Sequence, residues 1–380
     1  MRSYLLITQI FPPQTGGTST LFYELYSRIG LTARVDVVTE NLGQSQDNTE
    51  FSFPGFIHRI PFRRYSWLKP ESIIIYIQLF FKSLLAAIKA RHLHSIHAGR
   101  VLPEGLCGLV VSWLCRRPLV VFAHGEEITT WREPLKSLFL KFVFRRSDCV
   151  IANSHFTRQL LLGLGVSNTK VKLIYPGVDT TLFKAGLRSN LLREQLGLKR
   201  DSFLVLSVGR LTRRKGFDFA IKALSSMSDV NIHYAIIGRG DDLSYLKKIA
   251  TEYGVVDQVH FMENVTNSEL PLWYNAANLF VMPNREVNND IEGFGIVLLE
   301  AAACGLPAIA GRSGGTESAI IEGETGLIID ANSVDNIVQA ILSIKRNRAL
   351  GMRMGLEGRR RCEKEFSWDI ISEKYRLLFS

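Results

Sequence analysis

Phe203-Leu204-Val205-Leu206-Ser207-Val208-Gly209-Arg210-Leu211-Thr212-Arg213-Arg214-Lys215-Gly216-Phe217 reads as an apolar strand running into a glycine corner, a basic turn and the start of a helix. A strand apolar at nearly every position is buried on both faces, as strands of a parallel sheet under helices are. The corner at its carboxyl end is where a doubly wound domain meets its ligand. Arg210 offers a planar fork to a phosphate and Lys215 a compact point charge. Arg213 and Arg214 read as solvated loop charges. Taken alone, such a turn is more often only a solvated face.

The same alternation of short apolar runs and helical patterns extends in both directions. Tyr4–Gln9, Val35–Thr39, Val120–Ala123 and Cys149–Ala152 read as buried parallel strands in the first half. Phe203–Gly209, His233–Ile237, Gln258–Phe261, Leu279–Met282 and Pro307–Ala310 read the same way in the second. Helices are expected at Thr18–Ile29, Glu71–Arg91, Phe217–Ser225, Asp242–Tyr253 and Ile296–Ala303. Alternation of this kind gives an α/β fold, and its repetition gives two doubly wound domains. A length of 380 residues also favours two domains over one core. The expected boundaries are 1–182 and 183–365, with the seam in the turn-rich stretch Pro176–Asp201. The segment 366–380 carries an apolar stripe (Phe366, Ile370, Ile371, Tyr375, Leu378, Phe379) that fits a helix returning to the first domain.

Composition excludes several classes. Apolar residues make up 46% and charged residues 22%, as in an ordinary soluble globular protein. Cys107, Cys115, Cys149, Cys304 and Cys362 form no C-x-x-C pair and no zinc spacing, which reads as reduced packing thiols in a cytoplasmic protein. The N-terminal apolar run is cut by Pro12-Pro13 and does not read as a signal peptide. Ile73–Ile88, the most hydrophobic stretch, has the length of a buried helix rather than of a membrane span. Residues 1–180 hold +9 of the net charge of +10. That asymmetry points to an anionic partner for the first half, such as membrane phospholipid, a phosphate-bearing acceptor or nucleic acid.

The second chemical signal is Glu292-Gly293-Phe294-Gly295-Ile296-Val297-Leu298-Leu299-Glu300. Gly293 and Gly295 let a backbone come close to a ligand, and the free N–H groups of a helix starting at Ile296 suit a phosphate. A rise of ~1.5 Å per residue places Glu300 roughly 8 Å along that helix, about the reach from a sugar near Glu292, past a diphosphate, to a ribose. A loop glutamate followed by a salt-bridging one would fit the pair equally well.

Taken together, the motifs resemble the retaining glycosyltransferases of GT-B architecture, which have two facing Rossmann-like domains and an E-x7-E motif. Pro12-Pro13-x-x-Gly16-Gly17 is similar to that family's donor-facing glycine loop, and Ala123-His124-Gly125-Glu126 to its active-site histidine turn. Ile151–Ser154 and Tyr175–Asp179 are similar to segments before its domain linker. Ile237-Gly238-Arg239-Gly240 resembles its third donor loop. Ala303–Pro307, Ser313–Gly315 and Phe366–Trp368 follow in the family's order. Met282–Gly315 looks most like the phosphatidylinositol mannosyltransferases. Glu317-Ser318, where that family has proline and an acid, and Glu263, where it has glycine, are departures.

The resemblance implies catalytic roles for His124, Arg210, Lys215 and Glu292. It implies donor contacts at Gly16, Gly17, Gly209, Gly238, Gly240, Gly293, Phe294, Gly295, Ile296 and Glu300. It also implies a GDP- or UDP-sugar donor, retention of configuration and a lipid-linked or glycan acceptor. No cofactor and no metal are expected, since there is no D-x-D pair. His124, at the end of an apolar strand, would donate to a sugar hydroxyl; a core histidine bonded to a carbonyl is the plainer reading. His92, His94 and His97 cluster without metal-ligand geometry and read as non-metal residues, with His97 a candidate for the acceptor side. The run Arg59–Lys69 mixes cations with Phe62, Tyr65 and Trp67, which suits an anionic membrane surface on the cytoplasmic face. No nucleic-acid module is recognised. The remaining alternatives are a transferase with a soluble acceptor, a sugar-nucleotide epimerase and a non-catalytic basic membrane-binding protein.

Overall fold

In a computed structural model, residues 2–14, 16–41, 52–61, 70–187, 189–227 and 230–379 are described. The chain forms two compact units, Met1–Pro176 with Trp368–Ser380, and Gly177–Ser367. The first holds a parallel sheet of strands β1 (Ser3–Ile7), β2 (Arg34–Glu40), β3 (Phe56–Ile60), β4 (Leu93–Ala98), β5 (Leu119–Ala123), β6 (Cys149–Ala152) and β7 (Val171–Leu173), in the order β3-β2-β1-β4-β5-β6-β7. The second holds β8 (Phe203–Val208), β9 (Ile232–Ile237), β10 (Val259–Met262), β11 (Leu279–Met282), β12 (Ala308–Gly311) and β13 (Gly326–Ile329), in the order β10-β9-β8-β11-β12-β13. Both are Rossmann-like, with a reversal of strand order between β1 and β4 and between β8 and β11.

Central strands β1, β5, β8, β11 and β12 are buried at every residue, so each reads as a nearly continuous apolar run, broken only by Ser3 and Ser207. The strands absent from the sequence reading are β3, β4, β7 and β13. Three of these (β3, β7 and β13) lie at sheet edges, and β4 interrupts its apolar pattern with His94, Ser95 and His97.

Helices cover both faces of the first sheet. On one side Gly17–Gly30 and Trp368–Phe379 share a core, in which Phe22, Tyr26 and Phe122 meet Trp368, Ile371 and Tyr375. On the other lie Pro70–Lys89, Leu106–Cys115 and Pro134–Arg146. The Pro70–Lys89 helix is not the buried helix expected from Ile73–Ile88. It buries Ile75, Leu79, Ala86 and Ala87 and leaves an apolar outer face in solvent. Among the described residues no helix is long and apolar enough to cross a membrane.

Candidate active site

The reversal between β8 and β11 brings two loops together. Gly216 has φ of 72°, and a side chain there would meet the Pro283 carbonyl oxygen at 1.9 Å. Only glycine therefore lets the turn after β8 lie against the loop after β11. The Arg285 N–H donates to the Arg214 carbonyl at 2.8 Å across the same seam. The Arg285 side chain forks onto both Asp218 oxygens at 3.0 and 2.9 Å and stacks over Phe219. These contacts fix the two loops from which the charged side chains project.

Between the loops, Lys215 Nζ donates to Glu292 Oε2 at 2.5 Å and Arg214 Nη1 donates to the same oxygen at 2.6 Å. Arg214 also pairs through Nε with Asp290 at 3.2 Å. Lys215 and Glu292 are only 7% and 8% exposed. Burial alone would raise the Glu292 carboxyl, but Lys215 and Arg214 outweigh it and hold the group at about 2. Glu292 is thus a fixed carboxylate, and its Oε1 accepts no hydrogen bond among the described residues. The Ser313-Gly314-Gly315 loop closes on its backbone, with the Gly315 N–H donating to the Glu292 carbonyl at 2.7 Å.

Arg214 is therefore not the solvated loop charge that the sequence suggested; it is the second cation on Glu292. Arg213 is the more exposed of the two, pairing with Asp242 and stacking over Tyr245. Arg210 stands apart: it is exposed and forms no hydrogen bond or ion pair with the described residues. The structure brings Lys215 and Glu292 together without Arg210.

Glu300 lies on the helix Ile296–Ala303, where its Oε2 accepts from the buried Tyr274 hydroxyl at 2.7 Å. Burial pushes this carboxyl up to about 7, against the opposing effects of the Tyr274 bond and the Lys215 charge. Tyr274 carries no sequence signal of this role, because it sits on a separate helix, Leu270–Ala276.

Gly295 caps the Ile296–Ala303 helix with φ of 88°. Gly293 is half-buried beside it, and Ile296 is the helix's first residue. The Phe294 ring is buried edge-on against Phe366, so only its backbone is left for a ligand. Gly209 lies beside the Lys215 stem. Gly238 and Gly240 have a packing reason of their own. Side chains there would meet the Gly209 and Leu211 carbonyl oxygens at 1.9 and 2.4 Å, where the loops after β8 and β9 touch. Of the family departures, Glu317 is exposed and paired with Arg312, and Glu263 lies 3.8 Å from Lys247.

In the first unit His124 follows β5. Its Nε2–H donates to the Gly99 carbonyl at 2.8 Å, and its backbone N–H donates to Glu127 Oε1 at 2.9 Å. The carbonyl partner fixes the proton on Nε2, which leaves Nδ1 as an acceptor. A neutral His124 therefore accepts from a hydroxyl through Nδ1 and does not donate to one. Gly16 and Gly17 are exposed at the start of the Gly17–Gly30 helix. Buried Glu104 accepts from the Gln9 N–H at 3.1 Å and is pushed up to about 7 by burial. His97 does not line an acceptor site. It is fully buried between Tyr26 and Ser95, and burial lowers it to about 3. Within the run Arg59–Lys69, residues 62–69 lie outside the described residues. Arg59 donates to the Glu40 and Pro12 carbonyls.

Residues 189–361 match the glycosyl transferases group 1 model, and residues 15–182 match the glycosyltransferase family 4 model. The chain is a group 1 glycosyltransferase. Over 370 residues the transferase is 28% identical to a GDP-mannose-dependent alpha-(1-6)-phosphatidylinositol monomannoside mannosyltransferase of Mycolicibacterium smegmatis, covering 96% of this chain and 94% of that one. It is 25% identical to the corresponding monoacylated-acceptor enzyme of Corynebacterium glutamicum, covering 98% and 96%. Its fold matches a sucrose-phosphate synthase from Thermosynechococcus elongatus with a TM-score of 0.82, 24% identity and coverage of 100% and 99%. The transferase is thus a nucleotide-sugar-dependent enzyme of GT-B fold.

Proposed function

We propose that this transferase moves mannose from GDP-mannose to a lipid-linked acceptor, with retention of configuration, in the synthesis of a cell-envelope glycan or glycolipid. The names of its relatives over nearly the whole chain support the donor and the acceptor class. The observation that carries the chemistry is the shared Glu292 oxygen held by Lys215 and Arg214 at the strand-order reversal.

In this reading the leaving diphosphate lies against Lys215 and Arg214, with the N-terminus of the Ile296–Ala303 helix beyond. Exposed Arg210 swings in as a third cation. Charge that grows on the leaving group meets positive groups already fixed in a partly dry site, so little reorganisation is needed in the transition state. Glu292 stays ionised and uses Oε1 to accept sugar hydroxyls. Glu300 accepts from the ribose hydroxyls. On the first unit His124 Nδ1 offers an acceptor to a hydroxyl, and the acceptor approaches from the leaflet on the cytoplasmic side.

The test is transfer to phosphatidylinositol monomannoside with GDP-mannose or UDP-glucose as donor. Product from GDP-mannose alone is the expected result. Product from UDP-glucose alone would replace the donor assignment. An altered sugar nucleotide with no transfer product would make the enzyme an epimerase.

A further inference from the structure

We propose that the outer faces of the helices Pro70–Lys89, Leu106–Cys115 and Pro134–Arg146 form a docking surface for an anionic lipid bilayer. Their inner faces are all in one core with the sheet, which sets the three helices side by side on it. An outer face in such a position is ordinarily polar. Here Ile74, Ile77, Phe81 and Ile88 stand in solvent on the first helix, with Ile88 68% exposed. The second helix exposes Val110 and Trp113, the latter by 77%. The third exposes Leu138 and Phe142. Scattered exposed apolar residues are normal on a soluble protein, but a patch continued across three neighbouring helices marks an interaction surface.

Charge chooses the occupant. Exposed Lys82 and Lys89, Arg116 and Arg117, and Lys141 and Arg146 are interleaved with the apolar side chains. The only acid within the three helices is Glu71, at the start of the first. Two copies meeting through this face would set cations against cations, which opposes association. Anionic headgroups complement it, while the apolar side chains reach the acyl boundary as those of an interfacial amphipathic helix do. Trp113 stands beside Arg116 and Arg117, and all three border a surface hollow of about 660 Å³ that Asp148 also lines. An indole next to cations suits the headgroup layer. The Asp148 carboxylate is engaged by the Leu119 N–H at 2.8 Å.

The surface deepens the lipid-acceptor reading, on which its biological sense rests, but it can be tested without any donor. The full chain is sedimented at low salt with phosphatidylcholine vesicles, with or without phosphatidylglycerol. Tryptophan quenching by brominated acyl chains is followed in parallel. Binding to the anionic vesicles is expected, with quenching that Trp113→Phe removes. Each cation near the surface strengthens such binding by roughly fivefold. Lys82→Glu with Lys141→Glu, and separately Ile77→Glu with Phe81→Glu, should each weaken binding at least tenfold while leaving Tm and GDP affinity unchanged. The proposal is overturned if the protein stays in the supernatant, or if neither pair of substitutions changes its binding. It is also overturned if sedimentation equilibrium shows a dimer that Ile77→Glu with Phe81→Glu dissociates. Lost vesicle binding with intact GDP binding refutes this surface alone. Intact vesicle binding without GDP binding refutes the donor reading alone.

Discussion

Donor binding should release a proton from Glu300. Burial holds this carboxyl at about 7 in the free protein, yet accepting from ribose hydroxyls favours its ionised form. With a value of about 7, roughly one tenth of the molecules carry an ionised Glu300 at pH 6 and about nine tenths at pH 8. GDP affinity should therefore rise about tenfold between those pH values, with proton uptake by buffer measurable by calorimetry in buffers of different ionisation enthalpy. The terminal phosphate of GDP also titrates near pH ~6, so the control is Glu300→Gln, which should lose the Glu300 share of the slope. Tyr274→Phe removes the hydrogen bond that lowers Glu300. A bond to a charged group contributes ~1.5–3 kcal/mol, so the midpoint should move up by ~1–2 pH units. An identical pH dependence in wild type and Glu300→Gln would show that Glu300 does not titrate on donor binding.

Three further outcomes are expected. Glu292→Ala leaves buried Lys215 without its carboxylate, which should cost ~3–5 kcal/mol of stability by denaturant unfolding. It should abolish transfer while GDP affinity stays equal or improves, since the Glu292 carboxylate then no longer competes with phosphate for Lys215 and Arg214. Transfer should persist in EDTA, whereas Arg214→Ala and Lys215→Ala should each lower kcat/KM at least tenfold in steady-state kinetics; a loss in EDTA restored by magnesium would contradict this. Glu104, raised to about 7 by burial from an unfolded value near ~4.5, makes a contribution to stability that is complete below about pH 4.5 and lost as pH rises through about 7. Glu104→Gln should remove that loss, up to about 3 kcal/mol, when unfolding free energies at pH 5 and pH 8 are compared.

What the sequence made legible follows from burial. Strands such as β8 and β11 are apolar on both faces and announce a parallel sheet. The edge strands β3 and β13 are covered less completely and blend into their surroundings. Glu292 and Glu300 stand out through their spacing around a glycine turn. Arg214 does not, because nothing in a run of three basic residues shows which one turns toward a carboxylate 78 positions away. Tyr274 is invisible for a similar reason: its bond to Glu300 exists only once two helices have packed. The hydrophobicity of Ile73–Ile88 reads as burial, since sequence counts apolar residues without saying which face meets the sheet. His97 shows the opposite error. A histidine in a cluster of three reads as a candidate site residue, whereas Tyr26 and Ser95 satisfy both its nitrogens inside the core.

The proposed donor site of a working transferase consists of Lys215, Arg214 and Glu292. Its test is GDP release from GDP-mannose with phosphatidylinositol monomannoside as acceptor, measured for wild type, Lys215→Ala and Glu292→Ala. The expected result is acceptor-dependent release by wild type, loss of release in both variants, and GDP binding that survives in Glu292→Ala but weakens in Lys215→Ala. Release at the wild-type rate by both variants would contradict it.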